Sequence, residues 1–340
     1  MDRMSRMMLE HIYEAVVDSG INPECIRGII CIYRNKFLQF RSHLVLTNGF
    51  GITCCSRDMM AQNILFWLGV TKPSYVIDTG CSSSFYAVVH AYQAIRRAIM
   101  RLLLDQIFAS THTVLNQDGR CKIFDENANG YIHSEGISVA FLQKAKTAKR
   151  IYATIIHMKT NCDDYKEEGI TFPSNKMQST LFKESYDECN VSTTCIPYIE
   201  GHGTGTRVDD HEELNVIDHI FTNCKANLLK IGSIILNIGH TEGTSGIYSI
   251  DNTIILMELG LIPPNINFNR PPKNLKAHLE GQIEVVIQQT SLIIDCIDIN
   301  SSGFGGANAH VLLKSNPKIK LNNRLPDDDL PKFVAILRRV

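Results

Sequence analysis

SYVIDTGCSSSFYAVVHAYQAIRRAIMRLLL, residues 74–104, decides the fold: a short β-branched run closes on a glycine, a cysteine and three serines follow, and a long apolar segment begins at once. Val88, Ala91, Ile95, Ala98 and Leu102 recur every three or four residues, the spacing of a buried helix, so strand, tight turn and helix are expected in that order. Cys81 then stands just before a helix, where unpaired amides and the helix dipole favour a thiolate. Serines 82–84 fill the first turn, where small hydroxyls are expected to satisfy free amides and leave the approach to sulfur open. The bland alternative is a buried, unreactive core cysteine.

Outward from this stretch the same two elements alternate. Before it come an amphipathic helix with charges set among its apolar residues (1–20), a strand RGIICIY (27–33), a glycine loop TNGFGITCC (47–55) and a second helix (58–69). After it, NQDGRCKIFDENANG (116–130) is a polar loop, and EGISVAFLQKA (135–145) reads as a strand. Then follow strand 151–160, helix 178–188, strand 195–201, helix 209–221 and strand LKIGSIILNIG (229–239). LIIDCIDINSSGFGGANAHVLLKS (292–315) reads as two antiparallel strands around a glycine turn. This order predicts an α/β protein with helices covering the sheet. From Ser315 the tail is polar, carries Pro326 and Pro331, and reads as a linker.

Composition narrows the function classes. The chain has 340 residues, 44% hydrophobic and 20% charged, with 34 Lys+Arg against 35 Asp+Glu. That suits a large buried core and gives no basic surplus for nucleic acid or an anionic membrane. Eleven cysteines at irregular spacing, none in a C-x-x-C pair and two adjacent at 54–55, read as reduced intracellular thiols, and a structural metal is not expected. With no signal peptide and no run approaching ~18 apolar residues, the expected location is the cytoplasm.

Two histidines follow strands in glycine-rich loops: His202 in YIEGHGTGTRVDD (198–210) and His240 in NIGHTEGTSG (237–246). Together they suggest groups converging on one site, although each alone reads equally as a structural histidine. The G-x-G here is no P-loop, because no Lys-Ser/Thr follows it. In GFGGANAH (303–310) three glycines surround Phe304, a turn able to present backbone N–H groups to an oxyanion or simply a tight hairpin.

Taken in order, these segments resemble the β-ketoacyl synthase domain of animal-type, insect-like fatty acid synthases and of related polyketide synthases. DTGCSSS (78–84) is similar to the family's DTACSSS, EGHGTGT (200–206) to its EAHGTGT, and NIGHTEGTSG and GFGGANAH to its remaining signatures. The resemblance implies a thiolase-like fold, layered αβαβα, incomplete at its N-terminus. Residues 1–150 would form the N-terminal half, 151–314 the C-terminal half, and 315–340 the start of a linker towards an acyltransferase domain. It implies Cys81, His202 and His240 as catalytic residues and the amides of Cys81 and Phe304 as an oxyanion hole. Glu242 and Asn308 would be supporting residues. No metal or bound cofactor is implied; the acyl and malonyl groups arrive on the phosphopantetheine of an acyl carrier protein, and the chain is expected to form a homodimer. The implied reaction is a decarboxylative Claisen condensation in fatty acid biosynthesis. A thiolase is disfavoured, since the C-terminal glycine loop holds no second cysteine.

Three departures support a rival, an impaired fragment or a non-catalytic scaffold. Ile235 stands where the family's VKSNIGH has its lysine, which removes a hydrogen-bonding partner from the network around His202 and Glu242. The segment DQIFASTHTVL (105–115) is shorter than its family counterpart, and the family's opening strand and helices are missing before Met1.

Overall fold

The computed structural model describes residues 3–25, 30–35, 57–69, 71, 74–97, 102–108, 116, 118–221, 228–272, 282–291 and 295–316. The loop 47–55, residues 109–115 of the shortened segment and the tail from 317 onward lie outside the described residues.

Two sheets carry the fold. The first is drawn from β2 (Tyr75–Val76), β1 (Ile30–Asn35), β3 (Leu102–Phe108) and β4 (Ile137–Gln143), in that spatial order. β1 runs parallel to β2 and β3, and β4 closes the sheet antiparallel to β3. The second, six-stranded sheet has the order β5 (Ala153–Cys162), β12 (Ala307–Ser315), β11 (Cys296–Ser302), β6 (Tyr198–Glu200), β7 (Leu229–Gly232), β9 (Ile283–Val285). Its β11–β6–β7–β9 part is parallel, while β5–β12–β11 is antiparallel. A small antiparallel pair, β8 (Leu261–Ile262) and β10 (Thr290–Ser291), stands apart.

Helices fill and cover the space around the sheets. α1 (Arg3–Asp18) and α2 (Arg57–Leu68) lie on the outer side of the first sheet, α1 burying Met8, Ile12 and Val16 along the stripe its periodicity predicts. α4 (Asn175–Cys189) and α5 (Arg207–Phe221) flank the second sheet. Between the sheets run α3 (Ser83–Arg96) and α7 (Ser245–Leu259), touching each other and both sheets. A helix in that position is buried over most of its N-terminal half. Ser83, Ser84, Phe85, Ala87, Val88, Val89 and Ala91 are accordingly all buried, as is every residue of Ser245–Ile250. The result is the layered αβαβα arrangement expected from the sequence, and among the described residues no helix is long and apolar enough to cross a membrane.

Three readings need correction. The apolar helix expected to run to Leu104 ends at Arg96, and Leu102–Phe108 is β3, paired on both sides with β1 and β4. An apolar run fits a helix or a buried strand equally, and two neighbouring backbones decided it. The strand expected over 229–239 stops at Gly232, and Ile235–Ile238 is a short helix, α6. At Gly232 a Cβ would sit 2.6 Å from the Tyr198 hydroxyl, so side-chain packing there excludes any other residue. Finally, the sequence reading assigned no element to Ser245–Leu259, whose all-round apolarity carries no one-sided period.

Glu200, at the end of β6, is fully buried and accepts hydrogen bonds from the Ile234 amide (2.7 Å), the Tyr198 hydroxyl (2.7 Å) and Asn252 Nδ2 (3.1 Å). Burial outweighs these donors and pushes its carboxyl up to about 7. A folded-state value above the unfolded one means that the fold holds a proton the unfolded chain releases. This contribution is complete below the ordinary carboxyl range and is lost as pH rises through about 7. Glu200→Gln keeps the shape and cannot ionise, so its unfolding temperature should fall less than that of the parent chain between pH 5 and pH 8. Parallel curves for the two proteins would refute the assignment.

Candidate active site

Cys81 lies in the turn between β2 and α3, and its thiol is 6% exposed. The serines after it do not cap the helix, contrary to expectation: Ser82 makes no side-chain cap bond. Instead they tie the turn to its surroundings. Ser83 Oγ accepts from the Thr79 amide and donates to the Gly80 carbonyl, both at 2.7 Å, while Ser84 Oγ accepts from the Ile247 amide of α7. The glycine loop 303–306 packs directly on this turn. A Cβ at Gly303 would stand 2.1 Å from the Thr79 carbonyl oxygen, so the loop closes only with glycine there. Phe304 follows, 65% exposed, at the mouth of a small cleft that Cys81 and His202 also line.

The second sheet delivers the histidines. His240 Nε2 is 3.1 Å from Cys81 Sγ, and the ring is fully buried. Gly239 precedes it at φ +85°, a left-handed conformation that ends α6 and turns the ring toward the cysteine. The backbone is held from both sides, the His240 amide donating to the Ile132 carbonyl (2.7 Å) and its own carbonyl accepting from the Ser134 amide (3.0 Å). His202 follows β6, its ring centroid 5.7 Å from that of His240. Burial first, then the neighbouring His240, lowers its pKa to about 3, with Glu242 opposing. His202 is therefore neutral at physiological pH, and among the described residues its buried Nε2 has no hydrogen-bond partner.

The loop that carries His202 is pinned by two buried carboxylates of α5. Glu213 accepts from the His202 amide (2.7 Å) and the Gly203 amide (2.9 Å). Asp210 accepts from Thr204 and Gly205 (3.0 Å each) and, across the molecule, from Phe124 (2.8 Å). Glu242, at φ +56° and 3% exposed, lies beside His240. Its Oε1 stands 3.0 Å from His133 Nδ1, an ion-pair approach off the direction of a good hydrogen bond, and it accepts from the Tyr131 hydroxyl at 3.4 Å. The Tyr131 ring is edge-on to His240 at 4.6 Å, and burial with the charges of Cys81 and Glu242 holds its phenol far above the usual range.

Of the residues singled out from the sequence, Cys81, His202 and Phe304 line one cleft, and His240 is buried against Cys81. Glu242 stands behind His240. Asn308 also lines the cleft but acts through structure: its Nδ2 donates to Asp163 Oδ1 (2.6 Å) and Asn161 Oδ1 (3.2 Å), tying β12 to the end of β5. Ile235 is 1% exposed in an apolar cluster. Sequence reasoning missed Tyr131, His133, Asp210 and Glu213. The polar loop 116–130 pointed toward the first two, but their partners lie far away in the chain.

Family comparison agrees with this geometry. The model for the β-ketoacyl synthase N-terminal domain matches residues 1–104 and 105–148, two pieces that abut where the shortened segment begins. The β-ketoacyl synthase C-terminal domain matches 152–269, and the ketoacyl-synthetase C-terminal extension matches 271–340. A fatty acid synthase from Anser anser anser is 37% identical over 77% of this chain and 79% of its own length. The highly reducing polyketide synthase sdnO of Sordaria araneosa is 30% identical over 99% of the chain, which spans 12% of that protein. Ketosynthase twelve of the bacillaene polyketide synthase in Bacillus amyloliquefaciens superposes with a TM-score of 0.86 at 26% identity over 93% of this chain. The module 6 ketosynthase from Bacillus subtilis gives 0.82 at 26% identity over 94%. The chain spans 61% and 59% of those two ketosynthase chains. Motifs, layering and the cysteine–histidine cluster thus converge with these matches: the chain belongs to the β-ketoacyl synthase family, the condensing acyltransferases of fatty acid and polyketide synthases.

Proposed function

We propose that this chain is a β-ketoacyl-[acyl-carrier-protein] synthase domain working by decarboxylative Claisen condensation. The observation that carries the reading is the buried contact of Cys81 Sγ with His240 Nε2 at 3.1 Å, with neutral His202 beside it. The Cys81 thiolate attacks the carbonyl of an acyl thioester on phosphopantetheine; the new C–S bond forms as the old one breaks, and the carrier sulfur leaves as a thiolate that takes a proton from solvent. His240 Nε2–H, no longer engaged by the Cys81 sulfur, turns to the malonyl thioester carbonyl together with His202. Two imidazole donors stabilise the enolate as the C–C bond to the carboxylate breaks and carbon dioxide leaves. The carbanion attacks the acyl-Cys81 carbonyl, the amides of Cys81 and Phe304 receive the oxyanion, and the C–S bond to Cys81 breaks to give the 3-oxoacyl thioester. His202 acts as a neutral donor throughout.

The partner is an acyl carrier protein presenting its arm at the Phe304 mouth, in a homodimeric assembly in the cytoplasm. Residues 1–150 and 151–314 are the two halves of the domain, and 315–340 leads towards an acyltransferase. The test is incubation with an acyl-pantetheine thioester and then malonyl-pantetheine. An acyl mass on the Cys81 peptide followed by release of carbon dioxide and a 3-oxoacyl product is expected; neither adduct nor product would refute the reading.

A second reading rests on Ile235. It lies in an apolar cluster, at the position where the family motif has its lysine. A chain that forms the adduct and does not condense would be the impaired fragment or scaffold, and a gain in Ile235→Lys would locate the lesion there. His133 Nδ1 stands 3.0 Å from Glu242 Oε1. His133→Ala should lower condensation about tenfold, the effect of one contact to a charged group, while Cys81 still acylates. Equal loss of both steps would instead mark a fold defect.

A further inference from the structure

The same three side chains have a second capacity that the condensing reaction does not use. We propose that Cys81, His202 and His240 form a binding site for zinc, a reversible lock on the nucleophile. One ligand atom from each lies within 4.8 Å of the others, and all three residues are buried. A thiolate with two imidazoles is a donor set that zinc prefers over hard oxygen-seeking cations. With zinc bonds of about 2.3 Å to sulfur and about 2.0 Å to nitrogen, tetrahedral ligand atoms stand roughly 3.3–3.6 Å apart. The Cys81 Sγ to His240 Nε2 distance of 3.1 Å is already near that value. Since no pair exceeds 4.8 Å, the closure needed is at most about 1.5 Å, within reach of side-chain torsions.

An independent observation points the same way. His202 is 6% exposed, and among the described residues its buried Nε2 finds no hydrogen-bond partner. A coordination bond would satisfy a buried polar atom that the empty site leaves unmet. Its backbone is fixed by Glu213, and that of His240 by Ile132 and Ser134, so two ligands are held in place before any ion arrives. Two of the three ligands, Cys81 and His202, line the cleft through which an ion would enter. The ligands come from three loops far apart in the chain, which is why linear cysteine spacing gives no hint of them.

Binding takes zinc as the thiolate complex and releases the thiol proton to solvent; nothing is oxidised or reduced. The sulfur lone pairs are then engaged, and acyl transfer stops until a chelator removes the ion. The experiment uses the full chain, zinc chloride and iodoacetamide, reading alkylation of the Cys81 peptide by mass spectrometry, and therefore needs no condensing activity. Zinc should slow Cys81 alkylation at least tenfold, and EDTA should restore it. His202→Ala, checked for folding by its thermal transition, should lose the protection. An unchanged alkylation rate overturns the proposal, as does equal protection in His202→Ala. Should that variant fail to fold, X-ray absorption of the zinc-loaded parent chain decides: one sulfur and two imidazoles support the site, and any other ligand set overturns it.

Discussion

Cys81→Ala leaves the chain folded and unable to take up an acyl group. The loss of one sulfur atom from a small buried site costs about 1 kcal/mol, so the unfolding transition shifts little. Acyl transfer, by contrast, should fall by about 10³-fold or more, because no other described thiol shares its setting. Cys121 is buried, accepts from the Ile132 amide at 3.4 Å, and has its pKa raised by burial. Cys296 is pushed up to about 11, again first by burial, which leaves almost no thiolate at neutral pH. Cys162 is exposed and lies at the end of β5. Mass spectrometry of acyl-labelled peptides is the readout. Label that persists at wild-type yield on another cysteine removes Cys81 from the nucleophile role.

The second large effect is on stability. Asp210→Ala removes the acceptor of three buried backbone amides, those of Phe124, Thr204 and Gly205, and none can reach water without local unfolding. Each orphaned donor costs about 1–3 kcal/mol, and with partial relaxation the sum should be about 3–5 kcal/mol, a large share of the about 5–15 kcal/mol that holds a protein together. Asp210→Asn retains one oxygen acceptor and should fall between. Denaturant unfolding of the three proteins measures the order. An alanine variant within about 1 kcal/mol of the parent would show that the amides find other partners. Since the same loop carries His202, residual folded Asp210→Ala should also condense poorly while still accepting an acyl group on Cys81.

These two residues mark the limit of what the sequence discloses. Cys81, His202, His240 and Phe304 were legible because their loops are built of residues rarely needed for packing: glycines, serines and a reactive side chain at the end of each strand. Their convergence followed from the resemblance of four ordered motifs and not from spacing. Asp210 and Glu213 were illegible because their partners are backbone amides, which every residue has. His133 and Tyr131 were missed because their partners, Glu242 and for Tyr131 also His240, stand more than 100 positions further on. The fold shows the same division. Alternation of strand and helix was plain, but the boundary between α3 and β3 was not, since apolar residues serve a central helix and an interior strand alike.

The placing of α3 and α7 between the two sheets bears on the birth of the protein. Cys81 is among the first of the site's residues to leave the ribosome, while the hairpin bearing Phe304 is among the last, and the contacts that join them are of long sequence range. Until β11 and β12 have paired, the turn of Cys81 lacks the glycine loop 303–306 that packs on it. If Cys81 is the nucleophile proposed above, uptake of an acyl label should therefore report a late step of folding.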